Sequence, residues 1–131
     1  MPQQKIIYYA HAMCFYRTLC ERRELALIRK KFSRSRIINP ALYGNHPEKI
    51  EDSVGFCLRL VEKSSIVVFS RVLGKITAGV GKEVNHALKL GKEVYELQSE
   101  AFKEQRRNVE YISRARSISL YQRWWDITGG N

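Results

Sequence analysis

Segment 77–83 combines two glycines, a lysine and a glutamate just before a helical pattern. It contains Thr77, Ala78, Gly79, Val80, Gly81, Lys82 and Glu83. Free backbone amides and the helix dipole at a helix N-terminus favour a phosphate or another anion. Glu83 is expected in the first turn, where its carboxylate could project into the same pocket. The alternative is a flexible surface loop followed by a glutamate that merely suits the dipole.

Segment 77–83 differs from the common phosphate-binding loops. Glu83 follows Gly81 and Lys82 where a Walker A loop has Ser or Thr, and Ile76 stands where its leading glycine belongs. No G-x-G-x-x-G follows the first predicted strand. The sequence therefore disfavours a dinucleotide-dependent dehydrogenase.

The three histidines admit different interpretations. His11 follows the first predicted strand, where it could contact a ligand or serve as a turn residue. His86 lies three residues after Glu83 on one helix face, so the two could share a proton or a ligand, or His86 could be a surface side chain. His46 fits a helix start. His11 and Cys14 form an H-x-x-C pair that matches no standard zinc site, so we expect no metal.

The last part of the chain interleaves arginines with aromatic residues. They are Arg106, Arg107, Arg114, Arg116 and Arg123 with Tyr111, Tyr121, Trp124 and Trp125. Such a segment can form an oligomer interface, pack on the domain itself, or grip nucleic acid through phosphates and stacking. Because no standard nucleic-acid-binding signature is present, we expect an interface or internal packing before nucleic acid.

Charge and composition narrow the function classes. The 131 residues carry a net charge of +10, and residues 1–45 hold nine basic against two acidic residues. This excess favours anionic partners, although a solvated basic helix face explains it equally well. The longest uncharged apolar run, 64–70, is far shorter than a membrane span, and the N-terminus shows no signal-peptide pattern. Three cysteines without Cys-x-x-Cys suggest reduced thiols, so we expect a cytoplasmic protein and no membrane partner.

The hydrophobic pattern predicts alternating strands and helices. Strands are expected over 5–12, 36–39, 65–69 and 93–97, and helices over 15–32, 45–62 and 82–90. Ala101, Phe102, Val109 and Ile112 could line one further helix, and 117–128 could form a strand or a helix. The order predicts an α/β, Rossmann-like or flavodoxin-like three-layer sandwich. Its mostly parallel sheet would have four to five strands, with a domain over 1–97 and a C-terminal helical extension over 98–131.

Ligands in such folds bind beyond the carboxyl ends of the strands. This singles out segments 10–14, 39–44 and 70–83. The extension, 98–131, is expected to pack on the domain or at an oligomer interface.

Four segments within 5–97 together resemble one family. They are Ile7–Met13 (IYYAHAM), Ile38–Ala41 (INPA), Cys57–Phe69, and Gly79–Val94 in the pattern G-x-x-x-E-x-x-x-A-x-x-x-G-K-x-V. Their order and spacing resemble the nucleoside 2-deoxyribosyltransferase-like superfamily, whose first strand and turn usually read I-Y-x-A/S-G-P-M.

The resemblance implies a nucleophile and a second residue that holds it in place. Glu83 would attack the anomeric carbon of a deoxynucleoside while the base leaves, and Tyr8 would hold Glu83. Contacts to the ligand are expected from His11, Asn39, Thr77, Gly79, Gly81, Lys82 and His86.

The chain departs from the family's pattern at several positions. Thr77 replaces a second carboxylate, His11 replaces the glycine of the first turn, and Ser64–Ser65 stands where another acid usually lies. Threonine is a poor proton donor. A phosphorylated ligand, suited to Arg71, Lys75 and Lys82, is therefore expected rather than an ordinary deoxynucleoside.

Two functional readings follow. The first is a nucleoside- or nucleotide-binding protein that acts as an N-glycosidase or deoxyribosyltransferase without a cofactor. The alternative is a catalytically inactive basic domain. It would bind nucleic acid, or serve as a homo-oligomeric interaction protein, expected to be a dimer, through Trp124 and Trp125.

Overall fold

A five-stranded sheet forms the centre of the molecule. The computed structural model describes residues 4–131. The strands are β1 (Ile6–Ala10), β2 (Arg36–Ile38), β3 (Ile66–Phe69), β4 (Glu93–Gln98) and β5 (Ala101–Glu104), in the order β2-β1-β3-β4-β5. The first four are parallel and β5 is antiparallel to β4. The predicted α/β class with a mostly parallel sheet is confirmed.

Helices cover both faces of this sheet. They are α1 (Leu19–Lys31), α2 (Pro47–Glu51), α3 (Ser53–Glu62), α4 (Ala78–Lys89) and α5 (Arg114–Thr128), with short 3-10 turns at Met13–Phe15 and Pro40–Tyr43. α1 packs on one face, and α3 and α4 pack on the other. Within residues 4–131, no helix combines the length and the apolar character needed to cross a membrane.

The central strand β1 sends neighbouring side chains to opposite faces. Tyr8 and Ala10 join the core under α3 and α4, whereas Ile7 and Tyr9 join the core under α1. This alternation follows from the two-residue period of a strand. Because both faces are covered, the strand is apolar throughout instead of alternating with polar residues.

The helix boundaries differ from those expected from the sequence. α1 begins at Leu19 instead of residue 15, because Thr18 accepts a hydrogen bond from the Glu21 amide and caps the helix. The predicted helix over 45–62 is divided at Asp52, which caps α3 through the Gly55 amide. α4 begins at Ala78, four residues before the predicted start, so its glycines lie within the helix.

The C-terminal part closes over one end of the sheet. Ala101 and Phe102, considered for a helix, instead belong to β5, and residues 114–128 form α5, the helical one of the two alternatives for 117–128. Trp124 of α5 packs against Phe15 with ring centroids 5.1 Å apart. It is buried with Ala12 and other residues that follow the strand ends. Trp124 is therefore buried in the core of its own chain, whereas its neighbour Trp125 remains 46% exposed.

Two glycines in the first turns of α4 should respond oppositely to alanine. A Cβ at Gly81 would lie 2.2–2.5 Å from Tyr111 side-chain atoms near its backbone, so segment 105–113 would have to shift. A Cβ at Gly79 would meet nothing within 4 Å. We expect Gly81→Ala to lower the free energy of unfolding by about 1–2 kcal/mol and Gly79→Ala to raise it by up to about 1 kcal/mol. Urea unfolding of both variants checks this, and equal stability would contradict the packing of Tyr111 on α4.

Candidate functional site

A buried carboxyl–phenol pair lies between β1 and α4. The Tyr8 hydroxyl donates a hydrogen bond to Glu83 Oε2, joining residues 75 positions apart. Glu83 is only 8% exposed, because it shares the inward face of α4 with Val80, Val84 and Ala87. The apolar spacing i, i+4, i+7 around it therefore carries a carboxylate into the core.

The environment of Glu83 places its titration near neutrality. Burial raises the pKa of Glu83 to about 7, while hydrogen bonds from Tyr8 and Cys57 and the charge of Lys49 act in the opposite direction. Glu83 lies in the second turn of α4, so the expected position in the first turn is wrong. A carboxyl with this pKa is present in both protonation states at pH 7, which suits a nucleophile or a general base.

Three further groups act on Glu83 from neighbouring elements. Cys57 of α3 lies beside the carboxyl, and burial raises the pKa of this thiol to about 11. Burial and the nearby Glu83 raise the pKa of Tyr16, which follows the turn after β1. Lys49 of α2 donates to the Pro40 carbonyl at 2.8 Å, and its Nζ lies 5.5 Å from the Tyr16 ring centroid.

A second polar cluster occupies the α1 side of the sheet. His11 Nε2 lies 2.8 Å from Glu21 Oε2, and His11 Nδ1 lies 3.0 Å from the Tyr9 carbonyl oxygen. Both partners of the ring are oxygen atoms, a backbone carbonyl oxygen and a carboxyl oxygen. The ring also stacks on Tyr9 with centroids 3.7 Å apart. His11 is thus held within the protein.

Asn39 belongs to the same cluster. Its side-chain oxygen accepts the Ala41 amide at 3.0 Å and caps the turn after β2. Burial alone would raise the pKa of Glu21, but hydrogen bonds from His11, Asn39 and the Arg17 amide lower it overall. The two predicted ligand residues His11 and Asn39 therefore meet at a carboxylate that the sequence reasoning did not single out.

Glu24 of α1 has a similar arrangement on this face. It accepts hydrogen bonds from the Tyr9 hydroxyl and from Ser70 Oγ, the latter at 2.8 Å. Burial raises the pKa of Glu24, against the effect of those two hydrogen bonds. Adjacent tyrosines of β1 thus bind buried carboxyls on opposite faces of the sheet. Only the Tyr8–Glu83 pair was predicted.

Residues of α5 cover the start of α4. Ser117 Oγ accepts the Ala78 amide at 3.0 Å, in the place of an N-cap side chain. Thr77 is 2% exposed, and its hydroxyl has no hydrogen-bond partner among residues 4–131, although the Tyr121 phenol lies beside it. The Gly81 amide donates a hydrogen bond to the Thr77 carbonyl oxygen. Gly79 is exposed, and nothing lies within 4 Å of the position that a Cβ there would take.

The other predicted basic contacts lie apart from Glu83. His86 pairs with Glu62 of α3 at 2.9 Å on the surface, so it does not share a proton with Glu83. Arg71 is tied to Glu96 at 2.8 Å. Lys75 and Lys82 are exposed.

The arginines of the C-terminal part also remain on the surface. Arg106 pairs with Glu104 at 3.1 Å. Arg107, Arg114 and Arg116 are exposed, whereas Trp124 is buried. The structure therefore does not bring Trp124 and these arginines together on one surface.

No family model, curated protein or solved structure matches the chain.

An open cleft lies at the carboxyl end of β2. Its volume is about 300 Å³, and it is lined by Arg17 and residues 41–46. Lys49, whose charge lowers the pKa of Glu83, donates to the carbonyl of Pro40, the residue directly before this lining. The strand order reverses between β1 and β3, and folds of this kind bind ligands at the carboxyl ends of the strands beside that point.

Proposed function

We propose that the protein cleaves or transfers the N-glycosidic bond of a nucleoside or nucleotide, as a divergent nucleoside 2-deoxyribosyltransferase-like enzyme. The observation that carries this proposal is the buried contact between Tyr8 and Glu83. These are the two residues to which the resemblance assigns the nucleophile and its holder. They come from segments 75 residues apart, and the fold brings them into contact between β1 and α4.

The chemistry proceeds through the ionised form of Glu83. One carboxylate oxygen attacks the anomeric carbon, and the bond from that carbon to the base nitrogen breaks with its electron pair going to the base. The base takes a proton from water as it leaves. Water, or the nitrogen of a second base, then attacks the glycosyl ester, loses its proton to solvent and releases Glu83 as the carboxylate. Tyr8 orients the carboxylate by donating its hydroxyl hydrogen.

Thr77 replaces the second carboxylate of the family, so another group must meet the leaving base. Lys49 and Tyr16 both act on Glu83 and both carry a polar hydrogen. Lys49 is partly exposed. We therefore assign it the contact with an electron-rich or anionic part of the ligand, because an ammonium group only donates. The open Gly79 amide at the start of α4 suits a phosphate or hydroxyl at the other end of the ligand.

The pH dependence of base release tests this proposal. We expect kcat/KM for release of free base from nucleosides or 5′-nucleotides to rise with pH around a midpoint near 7, because the attacking form of Glu83 is the carboxylate. In Tyr8→Phe the hydrogen bond that lowers the pKa of Glu83 is lost. The midpoint should then move up by about one pH unit, with a roughly tenfold loss of rate at pH 6.

Tyr9→Phe is the matched control. It removes a buried hydroxyl from the adjacent residue, but this hydroxyl binds Glu24 on the opposite face. Its pH midpoint should therefore equal that of the wild type. Absence of base release from every nucleoside and nucleotide tested would refute the proposed function. Equal midpoints in Tyr8→Phe and the wild type would refute the role of Tyr8.

A further inference from the structure

The outward face of α1 carries positive charge only. Its basic residues are Arg22, Arg23, Arg29, Lys30 and Lys31, and all five are exposed. The two acids of this helix point inward: Glu21 binds His11, and Glu24 binds Tyr9 and Ser70. Both carboxylates of α1 thus bind interior partners, and neither neutralises the basic residues on its outward face.

Four of these cations form a regular ridge. Arg22 and Arg23 lie about two helical turns before Arg29 and Lys30, a separation of about 10 Å along the axis of α1. The small residue Ala26 lies exposed between the two pairs, so a rigid surface can approach the helix closely. Four charges are therefore presented on one face with little side-chain bulk between them.

Local stability does not account for this arrangement. Among residues 4–131, none of the cations of this ridge forms an ion pair with a carboxylate. Arg22 and Arg23 lie in the half of α1 nearer its positive dipole end, where cations are unfavourable, and the pairs repel each other. Basic residues at the C-terminal end of α1 have a dipole benefit that Arg22 and Arg23 lack.

We propose that this ridge binds the phosphate backbone of duplex DNA. Guanidinium groups match phosphate oxygens in geometry and charge, and three of the four ridge residues are arginines. The ridge has no aromatic residue on which an unpaired base could stack, as single-strand binding needs. A B-form major groove admits an α-helix, whereas the deep, narrow groove of duplex RNA does not. A membrane surface is disfavoured because the apolar face of α1 packs on the sheet.

Two variants with the same net charge test this surface. The first replaces Arg22, Arg23, Arg29 and Lys30 with glutamine. The second replaces four exposed cations of α4 and of the segment after β5, Lys82, Lys89, Arg106 and Arg107, with glutamine. Both change the net charge of the chain from +10 by four units. Anisotropy of a labelled 20-base-pair DNA of mixed sequence is measured with the full chain from 50 to 200 mM salt.

The wild type and the second variant should bind alike. Four phosphate contacts give a log–log salt slope of about −3.6, or about a hundredfold loss of affinity over this range. The first variant should lose most of this slope and bind at least about tenfold more weakly at 100 mM salt. Equal weakening of both variants, or weakening of the second alone, would overturn the proposal, as would no binding at 50 mM. Tighter binding to duplex RNA or to anionic vesicles than to DNA would overturn the choice of partner. None of these outcomes bears on base release by Glu83.

Discussion

Glutamine in place of Glu83 is expected to abolish base release and, at the same time, to stabilise the fold above pH 7. The amide has nearly the shape of the carboxyl and can still accept the Tyr8 hydrogen bond. It cannot form the glycosyl ester, so turnover should fall by about 10⁴-fold or more. A variant that is inactive because it is unfolded would lose stability instead of gaining it.

The stability gain follows from the raised pKa of Glu83. The pKa of Glu83 is about 7 in the folded protein against 4.5 for a glutamate in the unfolded chain. Below the lower value, Glu83 is protonated in both the folded and unfolded chains. As the pH rises through 7, the folded chain must ionise a buried carboxyl, and stability that was present at acid pH is lost. The shift corresponds to about 3 kcal/mol at pH 8. Glutamine does not ionise, so this loss is absent from the variant.

Thermal unfolding from pH 4 to pH 8 measures this effect. The melting temperature of Glu83→Gln relative to the wild type should increase by roughly 10 °C across the range. Glu62→Gln is the control, because Glu62 is a surface partner of His86 and its side chain is 49% exposed. A constant difference between Glu83→Gln and the wild type at all pH values would show that Glu83 does not titrate in the folded state near 7.

The sheet was accessible from the sequence because local signals agree there, whereas the Tyr8–Glu83 pair was expected only from the family resemblance. β-branched runs mark the buried strands, and the order of strands and helices restricts the topology to very few choices. The start of α4 was missed because Gly79 and Gly81 disfavour a helix locally. Tertiary packing overrides this preference, since the Tyr111 side chain occupies the space that any Cβ at position 81 would need.

The environment of His11 could not be predicted from its own neighbourhood. The sequence places His11 at a ligand-binding strand end, but its partner Glu21 is ten residues away on a helix. One signal was present: Glu21, Glu24 and Ile28 follow i, i+3, i+7, the spacing of one helix face. Since Ile28 is fully buried, acids on its face are directed inward. Trp124 and Trp125 show the same limit, because neighbours on a helix point about 100° apart and only packing decides which is buried.

The central strand β1 therefore orients carboxyl groups on both faces of the sheet. The Tyr8 hydroxyl binds Glu83 on one face. On the other face, the Tyr9 hydroxyl binds Glu24 and the Tyr9 carbonyl oxygen binds His11. Of these groups, Glu83 alone faces the partly exposed Lys49, and it lies on α4, whose second residue is the exposed Gly79. His11 and Glu21 bind each other. We infer that the α1-side cluster holds the strand end and the start of α1 in place.

Glu21→Ala is accordingly expected to be among the most destabilising substitutions. It leaves the His11 ring, whose side chain is 0% exposed, without its carboxylate. Breaking a buried pair at one side costs about 3–5 kcal/mol, and we expect the lower end because the Glu21 side chain keeps 9% exposure. The cost should be smaller for Glu21→Gln, which still offers His11 an oxygen acceptor. Equilibrium unfolding in urea at pH 6 gives both values.

The pH dependence of this variant should run opposite to that of Glu83→Gln. The pKa of Glu21 is lowered on folding, so its stabilisation is present above the unfolded value of 4.5 and is lost as the pH falls through the folded value. The stability difference between the wild type and Glu21→Ala should therefore shrink below about pH 4. The double variant His11→Leu/Glu21→Leu removes both members of this buried pair, so it should be more stable than Glu21→Ala alone. Additive losses in the double variant would mean that His11 and Glu21 do not act as a pair.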